Sequence, residues 1–136
     1  MSSWCGTARS NHIKVVDMAD LLEALAPFDI EVLPGDEGKH YLTPGSSSDS
    51  GGWPAFSLSG DAEVEFDPAV HICPFMADGE ILVMMEAGAE RLRYITGEAQ
   101  AYSKWGQCVT VSLSDVYAKA AEKFNVDIGA ISRAAY

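Results

Sequence analysis

Three groups of side chains in this 136-residue chain have the chemistry for a reactive centre, and their spacing decides what each can do. Cys5 with His12 or His71 would be a thiol nucleophile beside a base. That arrangement needs hydrogen-bond reach and a third group to orient the imidazole. No flanking signature supplies either, and a small buried thiol is the expected role of a free cysteine. The run His71-Ile72-Cys73 sets two soft ligands two residues apart, with Cys5 and His12 able to complete a zinc set. Asp67-Pro68 ahead of it and Pro74 behind it argue for a short helix, in which residues two apart diverge. No CxxC pair occurs, which speaks against a zinc ribbon, a redox motif or a disulfide framework. Glu63, Glu65 and Asp67 form the third group. Glu63 and Glu65 share one face of an extended segment, where like charges raise a pKa, but nothing apolar surrounds them to make an acid–base pair. Gly88, Gly97 and Gly106 do not make GxGxxG, and no P-loop lysine follows a glycine pair. The expectation is a protein with no catalytic residues, no metal and no cofactor, and so not an enzyme.

The charge is the stronger signal. Net charge is −11, with 9 basic and 20 acidic residues. Residues 17–90 hold sixteen of the acids against the single base Lys39, while residues 1–16 and 91–136 are each slightly basic. Direct nucleic-acid binding is disfavoured, because phosphate contacts need clustered Lys and Arg. A field this strong opposes folding by self-repulsion, which suggests a use for it. A halophilic origin fits poorly with basic ends. Two readings remain: acidity for solubility alone, or an acidic face for a basic partner surface, where complementary potentials speed encounter.

The elements that must position these residues read as one α+β domain over 1–136, an antiparallel sheet with a C-terminal four-strand meander packed by two main helices. Ile13 and Val15 alternate as in a strand. Asp17 caps a helix with Met18, Leu21, Leu22 and Leu25 on one side, stopped by Pro27. Ile30–Leu33 and Lys39–Thr43 flank the turn PGDEG as a hairpin. Residues 43–61, with the run TPGSSSDSGG, read as a flexible loop. Glu63–Phe66 is a short strand with Val64 and Phe66 inward, and Asp67-Pro68 starts a short helix. The meander runs through strands at 80–87, 91–96, 99–103 and 108–112, with turns at Ala87–Glu90, Gly97-Glu98 and Trp105-Gly106. Val83, Met85, Tyr94, Val109 and Val111 are its expected core. Arg91, Arg93 and Tyr94 are expected to pair across strands with Glu86 and Glu98. Ser112 or Ser114 caps a last helix whose Leu113, Val116, Tyr117, Ala120 and Phe124 form the buried face, and Asn125 ends it.

The segments WCGTARSNHIKV at 4–15 and GEILVMMEAGAERLRYITGEAQAY at 79–102 resemble a family of small acidic proteins carried by phages, plasmids and other mobile elements. With the C-terminal helix, they cover roughly half of the chain. Such genes include anti-defence proteins, anti-CRISPR proteins among them. The resemblance implies a class of partner and transfers no functional residue.

Together these point to a cytoplasmic, non-enzymatic binding protein of mobile-element origin. It would inhibit a bacterial host defence complex as a DNA mimic, by occupying a basic, nucleic-acid-binding surface. The expected partner-binding residues are Asp29, Glu31, Asp36, Glu37, Asp61, Glu63, Glu65 and Asp67, with Trp53 and Phe56 as anchors unless they cover the core. No direct nucleic acid and no membrane is expected, and the oligomeric state stays open. The alternative is an acidic structural or housekeeping phage or plasmid protein with no inhibitory role.

Overall fold

The structure is a computed structural model, and it describes residues 4–45, 51–58, 63–90 and 94–134. The local signals at chain reversals act where expected. The Asp17 carboxylate accepts the Asp20 N–H at 3.3 Å and starts α1 (Met18–Leu25), which buries Leu21 and Leu25 but leaves Leu22 exposed. β2 (Ile30–Pro34) and β3 (His40–Pro44) pair antiparallel with Val32 opposite Leu42. Glu37 and Gly38 take left-handed conformations in the turn between them. Asp67 accepts the Ala69 N–H at 3.0 Å, and Pro68 opens the single turn α2 (Pro68–His71).

The main sheet is α+β in the expected sense: antiparallel throughout, with a C-terminal meander of β4 (Ile81–Glu90), β5 (Tyr94–Ser103) and β6 (Cys108–Ser112). Its fourth strand is β1 (Trp4–Ser10), paired to the other side of β4, giving the order β1-β4-β5-β6. The boundaries differ from those expected. Ala87–Glu90 and Gly97-Glu98, read as turns, lie inside long strands. Gly88 is held between Gly6 of β1 and Thr96 of β5, so pairing on both sides outweighs its weak strand preference. The strand expected around Ile13 and Val15 shrinks to isolated bridges, Ile13 with His40 and Val15 with Met76. Val64 is exposed rather than inward, because residues 63–66 pair with a loop and not with a sheet.

Alternation along a strand gives the sheet two distinct faces. On the inner face Ser10, Leu82, Met84 and Tyr102 are buried against Ile13, Leu21, Leu25, Leu42, Ile72 and Met76. The remaining elements before β4 supply that cover. Among the described residues no helix or second sheet covers the outer face: Met85 is 55 %, Val109 67 % and Val111 54 % exposed, and Val83 is half-buried. These were expected in the core, and the side chain of Tyr94 lies outside the described residues. Periodicity marks the apolar faces of a strand but not whether a second layer exists to cover both. The same holds for α3 (Asp115–Phe124), which buries no residue; Val116 and Phe124, expected to pack inward, are exposed, as is Leu113. Its start is tied by Ser112, which donates to the Asp115 carboxylate through N–H (2.8 Å) and Oγ–H (3.2 Å). Left-handed Asn125 ends it. Among the described residues no helix is long and apolar enough to cross a membrane.

Leu82→Ala, at a fully buried site on β4, is expected to cost about 2–5 kcal/mol in denaturant melts, whereas exposed Val70→Ala should stay within about 0.5 kcal/mol.

Candidate functional site

Residues 51–58 and 63–67 lie over the inner face beyond the core. Gly51 has φ +80°, and a Cβ there would collide with the carbonyl oxygen of Gly6, so only glycine lets the chain approach β1 so closely. Trp53 then donates its backbone N–H to Glu86 Oε2 (3.0 Å) and its indole N–H to the Met85 carbonyl (3.2 Å). The Ser57 N–H donates to the Val64 carbonyl, the Phe66 N–H to Ala55 and the Leu58 N–H to Pro27, each at 2.8 Å. Phe66 packs with Phe28 and His71, ring centroids 5.2 and 5.9 Å away. Of the expected flexible loop at 43–61, residues 46–50 and 59–62 lie outside the described residues, and 51–58 are held by these bonds.

Between this segment and the sheet lies a cavity of about 390 Å³, inside the usual range of ligand pockets. One wall carries Trp53, Glu65, Phe66 and Asp67, and the other carries Met84, Glu86, Glu98, Gln100 and Tyr102. Four of its lining residues are carboxylates and none is basic. Glu86 and Glu98 stand directly opposite each other in the β4–β5 register. Like charges so placed destabilise a strand pair. The expected pairing of both with Arg91 and Arg93 involves residues outside the described ones. Partial compensation comes from the Trp53 N–H on Glu86 and from Gln100, whose Nε2–H donates to Glu98 Oε1 at 3.1 Å. The Tyr102 hydroxyl donates to Gln100 Oε1 at 2.9 Å, and burial pushes its pKa upward, so it stays a donor. Such a cavity suits a cationic side chain, which would sit between carboxylates that otherwise repel.

The structure brings together only part of the expected binding set. Trp53, Glu65 and Asp67 line the cavity. Glu63 is exposed on the same segment, and Phe56, 50 % exposed, bridges Glu65. Asp29 sits at the base of the β2–β3 hairpin, its carbonyl accepting the Gly45 N–H at 2.8 Å. Glu31 is exposed on β2, and Asp36 and Glu37 are at the hairpin's opposite end. Asp61 lies outside the described residues. The sequence reading missed Glu86 and Glu98 as site residues. Their pairing follows from the continuity of β4 and β5, which sets residue 86 against residue 98.

The other candidates do not converge. Cys5 is exposed on β1, His12 stacks on Tyr41 at 5.1 Å, and His71 accepts the Asp67 N–H through Nδ1 at 3.0 Å. Among the described residues no hydrogen bond joins Cys5 to either ring, and no three His, Cys, Asp or Glu side chains gather as a metal site would need. No family model matches this chain, and no curated protein or solved structure matches it.

Burial pushes the Cys73 thiol up from 9.0 to about 11. Because the folded value is the higher one, its contribution is full below pH 9 and is lost as pH rises to about 11. Denaturant melts should lose stability over that window, and Cys73→Ala should flatten the slope. At neutral pH iodoacetamide should label exposed Cys5 and Cys108 and spare buried Cys73 until the chain unfolds.

Proposed function

We propose that the protein is a non-enzymatic, acidic binding protein of mobile-element origin, working in the cytoplasm of a bacterial host. It inhibits a host defence complex, in the manner of an anti-CRISPR protein, by occupying a basic surface that otherwise holds nucleic acid. The observation that carries this reading is the Glu86–Glu98 pair, two carboxylates facing each other on a cavity wall with Glu65 and Asp67 opposite and no base among the lining residues. Such an arrangement costs stability in the isolated chain and is relieved by a partner's Lys or Arg. Long-range attraction to the −11 chain raises the encounter rate, and exposed Phe56 supplies apolar contact, while Trp53 is partly buried against the core.

A second reading, a structural or housekeeping phage or plasmid protein acidic for solubility, is favoured by the acids away from the cavity. Asp17, Asp20 and Glu23 on α1 and Asp36 and Glu37 at the hairpin tip are exposed and far apart in the fold.

The two separate on charge removal. In pull-downs from host lysate, the inhibitory reading expects nucleic-acid-binding proteins that are released by added duplex DNA or RNA and by salt. Glu86→Gln with Glu98→Gln should abolish that capture and raise stability by about 0.5–1 kcal/mol. Capture indifferent to both competitor and variant would support the second reading. Glu63→Lys with Glu65→Lys should slow association with a captured partner more than it speeds dissociation.

A further inference from the structure

We infer that the uncovered outer face of the sheet and the helix α3 form a self-association surface, and that its occupant is a second copy of this chain. Ten large apolar side chains of this region, Met85 and Val111 on the sheet and Val116 and Phe124 on the helix among them, are exposed. At about 100 Å² each they offer roughly 1,000 Å² per copy, above the ~800 Å² per partner of a stable interface and beyond what monomers usually expose. The neighbouring groove, about 400 Å³, runs along Met85, Ala99 and Val111 and is also bordered by Arg9, Glu86 and Glu98.

Charge selects the occupant. In a chain of net charge −11, no carboxylate stands at an outward position of β1, β4, β5 or β6 among the described residues, and Arg9 is the one charged residue there. Strand alternation puts Glu86 and Glu98 at inward positions of β4 and β5. On α3, Asp115 and Glu122 are balanced by Lys119 and Lys123. A basic partner is therefore drawn to the opposite side of the sheet, and a second copy meets no like-charge barrier on this one. The two halves of the surface also complement each other. α3 is an amphipathic helix with no buried residue, and the sheet face is apolar with no helix on it among the described residues. A two-fold dimer seats each helix on the other copy's sheet and satisfies both at once.

The test is the mass of the full chain by light scattering over a dilution series, with Val111→Lys on the sheet and Phe124→Glu on the helix. Both positions are exposed in the single chain, so far-UV circular dichroism should be unchanged. The wild type should be a dimer, and each variant should weaken self-association by about 30-fold or more. Mixing the two variants should restore dimer, since one helix–sheet seat is then native and the other sets Glu against Lys. A wild type that is monomeric at every dilution, a dimer untouched by both variants, a mixture that stays monomeric, or open-ended growth beyond two copies would each overturn the proposal.

Discussion

The structure depends on how the pleat of β4 divides its side chains. Leu82 and Met84 point to one side and Ile81, Val83 and Met85 to the other, so this central strand is apolar on both faces. Everything the chain offers as cover lies on the first side. The hairpin of β2 and β3, α1, α2 and the segment around Ile13 close over Leu82, Met84 and Tyr102 into one cluster. The second side carries an apolar surface with no layer above it among the described residues. A one-residue slip of β4 would exchange the two sets, so the register is fixed by which side has cover.

That division also sorts charge. On the covered side the apolar core ends at Met84, and the next inward residue, Glu86, begins an acidic region completed by Glu98 and by Glu65 and Asp67 from the overlying segment. Trp53 joins the two layers there with hydrogen bonds to both Glu86 and the Met85 carbonyl. The uncovered side is free of carboxylates at its outward positions. A chain with a large net negative charge thus presents one side suited to a basic surface and one suited to a copy of itself, with the sheet between them.

Much of this frame was legible in the sequence where chemistry is local. The caps at Asp17 and Asp67, the proline at the start of α2, the hairpin around PGDEG and the left-handed Asn125 each follow from one side chain meeting a few backbone groups. β1 was not legible, because its inward positions Gly6, Ala8 and Ser10 lack apolar alternation. They are small where other chain comes close, as Gly51 does to Gly6, and the Ser10 hydroxyl accepts the Leu42 N–H at 2.7 Å. The continuity of β4 and β5 through Gly88 and Gly97 was hidden for a similar reason, since partner strands override a local turn signal. Of the site, Trp53, Glu65 and Asp67 were legible as anchor and acids. Glu86 and Glu98 were hidden by the turns expected at Ala87–Glu90 and Gly97-Glu98, positions that lie inside paired strands instead. What covers Met85, Val111 and Phe124 could not be read at all, because amphipathicity states that a face is apolar and not what lies on it.

The central claim is that the sheet separates an acidic side from an apolar, carboxylate-free one. The most direct test is the molecular mass of the wild-type chain as a function of salt. Contact through the apolar side predicts a dimer that persists or tightens as salt rises, since screening weakens repulsion between two −11 chains and leaves apolar burial intact. A dimer that dissociates as salt rises, or a monomer throughout, would contradict it.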